Sequence, residues 1–197
     1  MDSHPVLTAL KLRNSAPKLE HPAPNDAELD EMVRCALRSP DHARLQPWRF
    51  VSFRGEALGD LGQRLETSLL RSKPDADEAL RTKARNAPLR APLVVAVLAR
   101  LSEHPKVPLW EQVVSAGCAA FSMELAAEAL GYAAIWRTGS FSEDDQLARE
   151  LGGEGDHRIV AFLYFGTPAC RLKAVPEPEP DEFHTRWSAS GASAKSQ

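Results

Sequence analysis

Three short patches of the chain combine cations, hydrogen-bonding groups and turn residues. They are Arg13-Asn14-Ser15, then Ser39-Pro40-Asp41-His42 with Gln46-Pro47-Trp48 downstream, and Trp136-Arg137-Thr138-Gly139. An arginine fork matches phosphate oxygens bidentately, serine and threonine hydroxyls complete a phosphate shell, and an amide such as that of Gln46 bonds the edge of a flat heterocycle. Together the patches describe a site for a phosphorylated aromatic ligand. Singly they are weak: Arg13 or Arg137 alone reads as a solvated surface cation, Trp136 alone as a core aromatic, and His42 after Pro40-Asp41 as part of a turn.

Other chemistries find little support. The chain has no GxxxxGK[ST], no GxGxxG, no HExxH and no GxSxG. Its histidines, at 4, 21, 42, 104, 157 and 184, lack ligand spacing, so no metal site is expected. A hydrolase built on Ser115 with His42 and Asp41 lacks a nucleophile elbow, and neighbouring Asp and His side chains diverge readily. The net charge of -3 with dispersed basic residues offers no footprint for nucleic acid or an anionic membrane. Cys35, Cys118 and Cys170 form an odd set without CxxC, which predicts reduced, packing thiols. The opening residues carry no basic stretch followed by a long apolar run, and no run of about 18 apolar residues occurs, so a cytoplasmic protein is the expectation.

The elements that must position these patches are readable from periodicity. Asn25 to Arg38 reads as a helix, with Asn25 as N-cap and Glu28 as its capping-box partner. Pro40 ends it, leaving Ser39 to Gln46 as a loop into a strand at Trp48 to Phe53. Helices follow at Glu56 to Arg71 and Asp75 to Asn86. The apolar runs Leu93 to Leu98 and Ile159 to Phe165 suit central strands covered on both faces. Between them Leu109 to Leu130, rich in small residues all round, reads as a long buried helix ended by Gly131. Tyr132 to Arg137 is a strand, Ser142 is the predicted cap of a helix through Leu151, and the proline-rich stretch Val175 to Asp181 is extended and coreless. The opening helices and the missing glycine-rich turn favour α+β over a doubly wound sheet. One domain is expected over 1–187, with an extended C-terminal arm over about 172–187. The stretch 188–197 reads as a disordered tail.

Four motifs, in this order, carry a resemblance: RSPDHxxxQPW at Arg38 to Trp48, KARNAPxRAPL at Lys83 to Leu93, KVPxWEQxxSAGCA at Lys106 to Ala119, and GxxxIWRTG at Gly131 to Gly139. Over most of residues 5 to 183 the chain resembles the nitroreductase family, in its short branch of NAD(P)H nitroreductases. The resemblance implies an α+β fold with an antiparallel-rich sheet flanked by helices. It also implies a homodimer through long helices, with FMN in clefts built from both subunits. Arg13, Asn14 and Ser15 fall on the family's RRS motif, which contacts the FMN phosphate and ribityl chain. Arg38, His42 and Gln46 would approach FMN from the helix and loop after it, while Trp136, Arg137 and Thr138 match the WR[ST] stretch that completes the site. The helix end Ala126, Ala127, Glu128, Ala129, Leu130 and Gly131 would lie near the nicotinamide of NADH or NADPH. Asn14 stands where the family usually has a second arginine, and Arg44 where broader nitroreductases carry an asparagine near the flavin. The implied reaction passes hydride from NAD(P)H through flavin to a small electron-poor acceptor, with the chemistry carried by FMN and no catalytic side chain required. The alternative is a flavin-binding or storage protein without NAD(P)H turnover.

Overall fold

The computed structural model describes residues 4–187. Its centre is β3 (Leu93–Leu101), whose first seven residues are buried. Alternation sends Leu93, Val95 and Val97 to one face, against Met32, Ala116 and Met123, and Val94, Ala96 and Leu98 to the other, against Leu61, Leu65 and Leu147. A strand so placed needs apolar residues at every position. The first face is covered by α2 (Asp26–Ala36) and α5 (Leu109–Ala129), the second by α3 (Glu56–Ser72) and α6 (Asp145–Gly152).

The sheet is antiparallel throughout. β3 lies between β2 (Trp48–Arg54) and β5 (Asp156–Pro168). β5 also pairs with β4 (Ala133–Arg137), with Ala134 opposite Phe165, and at its end with β1 (Leu19–Glu20). The α+β class with an antiparallel-rich, helix-flanked sheet is therefore the observed architecture. α1 (Pro5–Leu12) precedes β1, and α4 (Glu78–Arg85) follows α3, shorter than the stretch Asp75 to Asn86 predicted for it.

The predicted capping box of α2 forms: Asn25 Oδ1 accepts from the Glu28 N–H at 3.0 Å, and Glu28 Oε2 accepts from the Asn25 N–H at 2.8 Å. That same Glu28 oxygen accepts the Tyr132 hydroxyl at 2.9 Å, which ties α2 to the entry of β4. The cap of α6 is a correction to the sequence reading. Asp144, not Ser142, accepts from the Gln146 and Leu147 N–H groups, while the Ser142 hydroxyl donates to the Gly139 carbonyl within a 3₁₀ turn. An ionised carboxylate is the stronger acceptor at a helix N-terminus, where the peptide dipoles favour negative charge. After Pro168 the described chain is largely exposed, with Leu172 packed against the α3-side core and a single 3₁₀ turn at Pro180–Glu182. The Asn14 amide donates to the Lys173 carbonyl at 2.6 Å, so the arm starts against the first patch. The tail expected at 188–197 lies outside the described residues. No helix among the described residues is long and apolar enough to cross a membrane.

Candidate functional site

β4 is the edge around which two of the three patches gather. The Ala16 N–H donates to the Ala134 carbonyl at 2.9 Å and Ser15 bridges Ala134 in parallel, which lays Arg13, Asn14 and Ser15 beside the start of the strand. Arg13 Nη1 donates to Ser15 Oγ at 3.5 Å. Arg13 and Asn14 line a cavity of about 250 Å³ together with Glu124, Glu128 and Gly131 from the end of α5. Glu124 is 6% exposed. Burial pushes its carboxyl above the ordinary range, the Arg13 charge pulls it down, and Glu128 pushes it further up. Of the stretch expected near the nicotinamide, Glu128 and Gly131 thus share the cavity of Arg13. Ala126 and Ala127 pack into the core, and Ala129 and Leu130 face outward.

The other end of β4 meets a second cavity, of about 570 Å³, between the strand and the α3–α4 pair. Trp136, Arg137 and Thr138 line it. The Trp136 ring also reaches the α5-side core, so the plain reading of this residue as a core aromatic holds in part. The Arg137 guanidinium stands 5.8 Å from the centre of the Tyr164 ring, and its Nε is buried without a hydrogen-bond partner. Burial raises the Tyr164 phenol above its ordinary value, against the pull of Arg137 and Arg90. Lys73, Lys83 and Arg90 line this cavity as well, and the sequence reading gave them no role. A signal was present for two of them, because Lys83 and Arg90 belong to the KARNAPxRAPL motif.

The third patch stands apart. His42 Nδ1 lies 2.9 Å from Glu111 Oε2 of α5, in a cavity of about 170 Å³ that also touches Trp110 and Cys118. The loop before β2 is held in an uncommon backbone: Ala43, Arg44 and Gln46 have φ of 63°, 56° and 50°. Asp41 fixes it, accepting from the Leu45 N–H at 3.1 Å and the Gln46 N–H at 2.8 Å. The Ser115 hydroxyl donates to the Pro40 carbonyl at 2.5 Å, so Ser115 and Asp41 clamp the loop and do not form a Ser-His-Asp relay. Arg38, Arg44 and Gln46 are exposed at the loop's rim.

Within one chain the patches therefore reach three separate cavities, through Arg13 and Asn14, through Trp136 to Gly139, and through Pro40 to His42, while Ser15 and Gln46 line none of the three. His42 sits beside α5, whose outward face carries Trp110, Val114 and Phe121 at 64%, 55% and 37% exposure. These three side chains form an apolar stripe that no other element among the described residues covers.

Comparisons with known proteins agree with the architecture. The family model described as "Nitroreductase family" matches residues 11–167. "Putative NAD(P)H nitroreductase YdjA" of Escherichia coli (strain K12) is 42% identical over 178 residues, covering 89% of this chain and 96% of that protein. A "Putative NAD(P)H nitroreductase" of Haemophilus influenzae is 36% identical, covering 82% and 88%. A solved nitroreductase with bound FMN from Bacteroides fragilis superposes with a TM-score of 0.71 at 22% identity, over 89% of this chain and 96% of that one. A nitroreductase-like family protein from Bacillus cereus superposes with a TM-score of 0.76 at 19% identity, over 92% and 95%.

Proposed function

Because the chain belongs to the nitroreductase family, we propose that it is an FMN-dependent oxidoreductase, drawing hydride from NADH or NADPH and reducing a small electron-poor acceptor such as a nitroaromatic or a quinone. The observation that carries this reading is the pair of cation-bearing cavities on either side of β4, one holding Arg13 and the other Arg137 with its buried, unpartnered Nε. A buried guanidinium nitrogen without a partner favours an acceptor atom from a ligand.

When bound, FMN supplies the two-electron chemistry, taking hydride from the nicotinamide and passing electrons to the acceptor. The chain's part is binding and orientation. Arg13 and Ser15 would hold the phosphate and ribityl chain, with Asn14 anchored to the arm beside them. Trp136, Arg137 and Thr138 would border the ring, where positive charge favours the reduced, anionic form. Ala126 to Gly131 ends α5 next to Arg13 and would flank the donor. Arg38, His42 and Gln46 lie on a loop remote from those cavities in the same chain, and they reach the cofactor if a second copy covers the exposed face of α5. A homodimer therefore belongs to the proposal: Val6, Leu7 and Leu10 of α1 add to the uncovered apolar surface. Cys35, Cys118 and Cys170 are all free thiols, which suits the reducing cytoplasm, but Cys35 and Cys170 are exposed, so the expectation of packing thiols fails for those two.

The test is an absorption spectrum of the purified protein, before and after anaerobic NADPH and then NADH. Flavin bands that bleach with either donor support the reductase. Flavin that resists both makes the chain a flavin-binding protein without turnover, and no flavin even after adding FMN ends the proposal.

A further inference from the structure

Beside the Arg13 cavity lies a hollow of about 720 Å³, between the end of α1 and the start of the C-terminal arm, to which neither FMN nor the donor has yet been assigned. Lys11 reaches it from the last turn of α1, and Arg171 and Lys173 reach it from the arm, with Leu172 between them packed on the core. Two hydrogen bonds fix the arm there: the Asn14 amide donates to the Lys173 carbonyl at 2.6 Å, and the Ala169 N–H donates to the Lys18 carbonyl at 3.1 Å. No acidic side chain lines the hollow, and the arm's own carboxylates begin at Glu177, past its wall. None of the three cations takes part in an ion pair among the described residues. The neighbouring cavity differs in this respect. Leu12, Asn14 and Leu172 belong to the walls of both, yet Arg13 shares its cavity with Glu124 and Glu128.

Three like charges around one hollow repel each other and are stabilised by an anion that enters it. On the reading above the FMN phosphate is held by Arg13 and Ser15, neither of which lines this hollow. The donor, on the same reading, flanks the end of α5, where Glu128 and Gly131 line the Arg13 cavity. A dinucleotide is long enough to continue from there across the shared wall of Leu12, Asn14 and Leu172. A phosphate monoester at its far end, with a charge of about −1.5 to −2, is disfavoured beside the glutamates and favoured beside the cations beyond them. NADPH carries such a group on its adenosine ribose, where NADH carries a hydroxyl. We infer that Lys11, Arg171 and Lys173 form a subsite for the 2′-phosphate of NADPH, and that this chain takes NADPH in preference to NADH. The inference rests on the proposed flavin reduction for its reaction and on the cation cluster for the choice of donor. Arg171 offers a planar fork that matches phosphate oxygens, and the two ammonium groups add point charges.

The experiment follows the anaerobic bleaching of bound flavin and compares the second-order rate constants for NADPH and NADH. It is paired with calorimetric titration of adenosine 2′,5′-bisphosphate and of 5′-AMP, which lacks the 2′-phosphate, into flavin-loaded and flavin-free protein. The expected result is a preference for NADPH of about tenfold or more, lost in the double variant Lys11→Met/Arg171→Met. The bisphosphate should bind more tightly than 5′-AMP with and without flavin, and lose that advantage in the same variant. Equal rates with the two donors overturn the inference, and so does an equal fall for both in the variant, which would assign the cations to the diphosphate that NADH and NADPH share. A bisphosphate expelled by FMN, or a variant that no longer retains FMN, also overturns it, because the hollow would then belong to the cofactor's own phosphate. Should the protein take up no flavin, or hold flavin that neither donor bleaches, the proposed reduction fails separately. Calorimetry on the protein as purified then decides: a bisphosphate advantage that disappears in the double variant upholds the subsite, and no binding or no advantage overturns it.

Discussion

Arg71 of α3 sets both Nε and Nη2 on one oxygen of Asp144, at 3.0 and 2.7 Å, while the other oxygen caps α6 through the Gln146 and Leu147 N–H groups. One carboxylate thus joins two helices on the same face of the sheet and ends the turn that follows Thr138. Burial pushes this carboxyl up, but the Ser68 hydroxyl, the Leu147 N–H and Arg71 outweigh it and hold the group below its ordinary value of 3.8. A depressed carboxylate stabilises the fold above the unfolded value and loses that contribution as pH falls through the folded one. Asp144→Ala removes a cap and leaves Arg71 only its longer ion pair with Glu150, at 3.7 Å, at a cost of roughly 1 to 3 kcal/mol at neutral pH. Urea unfolding at pH 7 measures it, and the gap between wild type and variant should narrow below about pH 4. A gap that stayed constant into acid would show that the carboxylate's charge is not what stabilises the joint.

α3 and α4 touch at Gly62, where a Cβ would stand 2.1 Å from the Arg85 carbonyl oxygen. The obstacle is backbone, so no rotamer change relieves it. Gly62→Ala must push α4 away from α3, at a cost of about 1 to 3 kcal/mol. Urea unfolding at pH 7 measures the loss, and Gly59→Ala on the same helix, with open space around its Cβ position, should show none.

Asp41 holds the loop with three left-handed residues. Non-glycine residues in that region cost about 1 kcal/mol or more each and persist only where neighbours enforce them. Asp41→Ala frees the Leu45 and Gln46 N–H groups and lets the loop relax, so His42 and Gln46 lose their fixed approach. FMN retention, measured by equilibrium dialysis, should fall about tenfold, with Asp41→Asn, which keeps one acceptor oxygen, losing less. Unchanged retention in the alanine variant would remove this loop from the cofactor site.

Val114 lies at the middle of the outward face of α5, between Trp110 and Phe121. A second copy of the chain covering that face would bury Val114, and Val114→Glu would place an unpaired charge in the contact, a penalty of several kcal/mol. Sedimentation velocity should show a dimer for the wild type and a monomer for the variant. The variant should also retain less FMN, because His42 and Gln46 would no longer reach a partner's cavity. A monomeric wild type would sink the dimer.

What could be read from the sequence was what depends on neighbours along the chain. The α2 capping box, the apolar run Leu93 to Leu98 of β3 and the Gly131 stop of α5 are local patterns, and each appears as expected. The cap of α6 was misassigned between Ser142 and Asp144, two candidates two residues apart whose ranking depends on Arg71, far away in sequence. The placing of Lys83 and Arg90 at a cation-lined cavity was also out of reach, since it depends on Glu66 claiming Arg81 and Arg85 and leaving Lys83 alone. The three patches are contiguous runs that can be picked out along the chain, yet their separation in the fold is a tertiary fact with no trace in spacing.

Glu124 offers the most discriminating pH test of the Arg13 cavity. Its carboxyl is buried in α5, above its ordinary value of 4.5 through burial first, with Glu128 adding to the rise and Arg13 opposing it. In the unfolded chain the group ionises near 4.5, whereas in the folded protein it holds its proton to higher pH. Its favourable contribution is therefore full below about pH 4.5 and is lost as pH rises through the folded value. Glu124→Gln keeps the shape and removes the titration. In flavin-free protein the variant should melt higher than wild type at pH 7, and the difference should shrink on going down to pH 4.5. An FMN phosphate on Arg13 would engage the one cation that favours ionised Glu124, and its own charge would oppose that ionisation further. Wild-type FMN affinity should then fall more steeply than that of the variant as pH rises from 5 to 7. The comparison cancels the phosphate's own ionisation, which is common to both proteins. Parallel pH profiles, with tight binding retained, would place the phosphate away from Arg13.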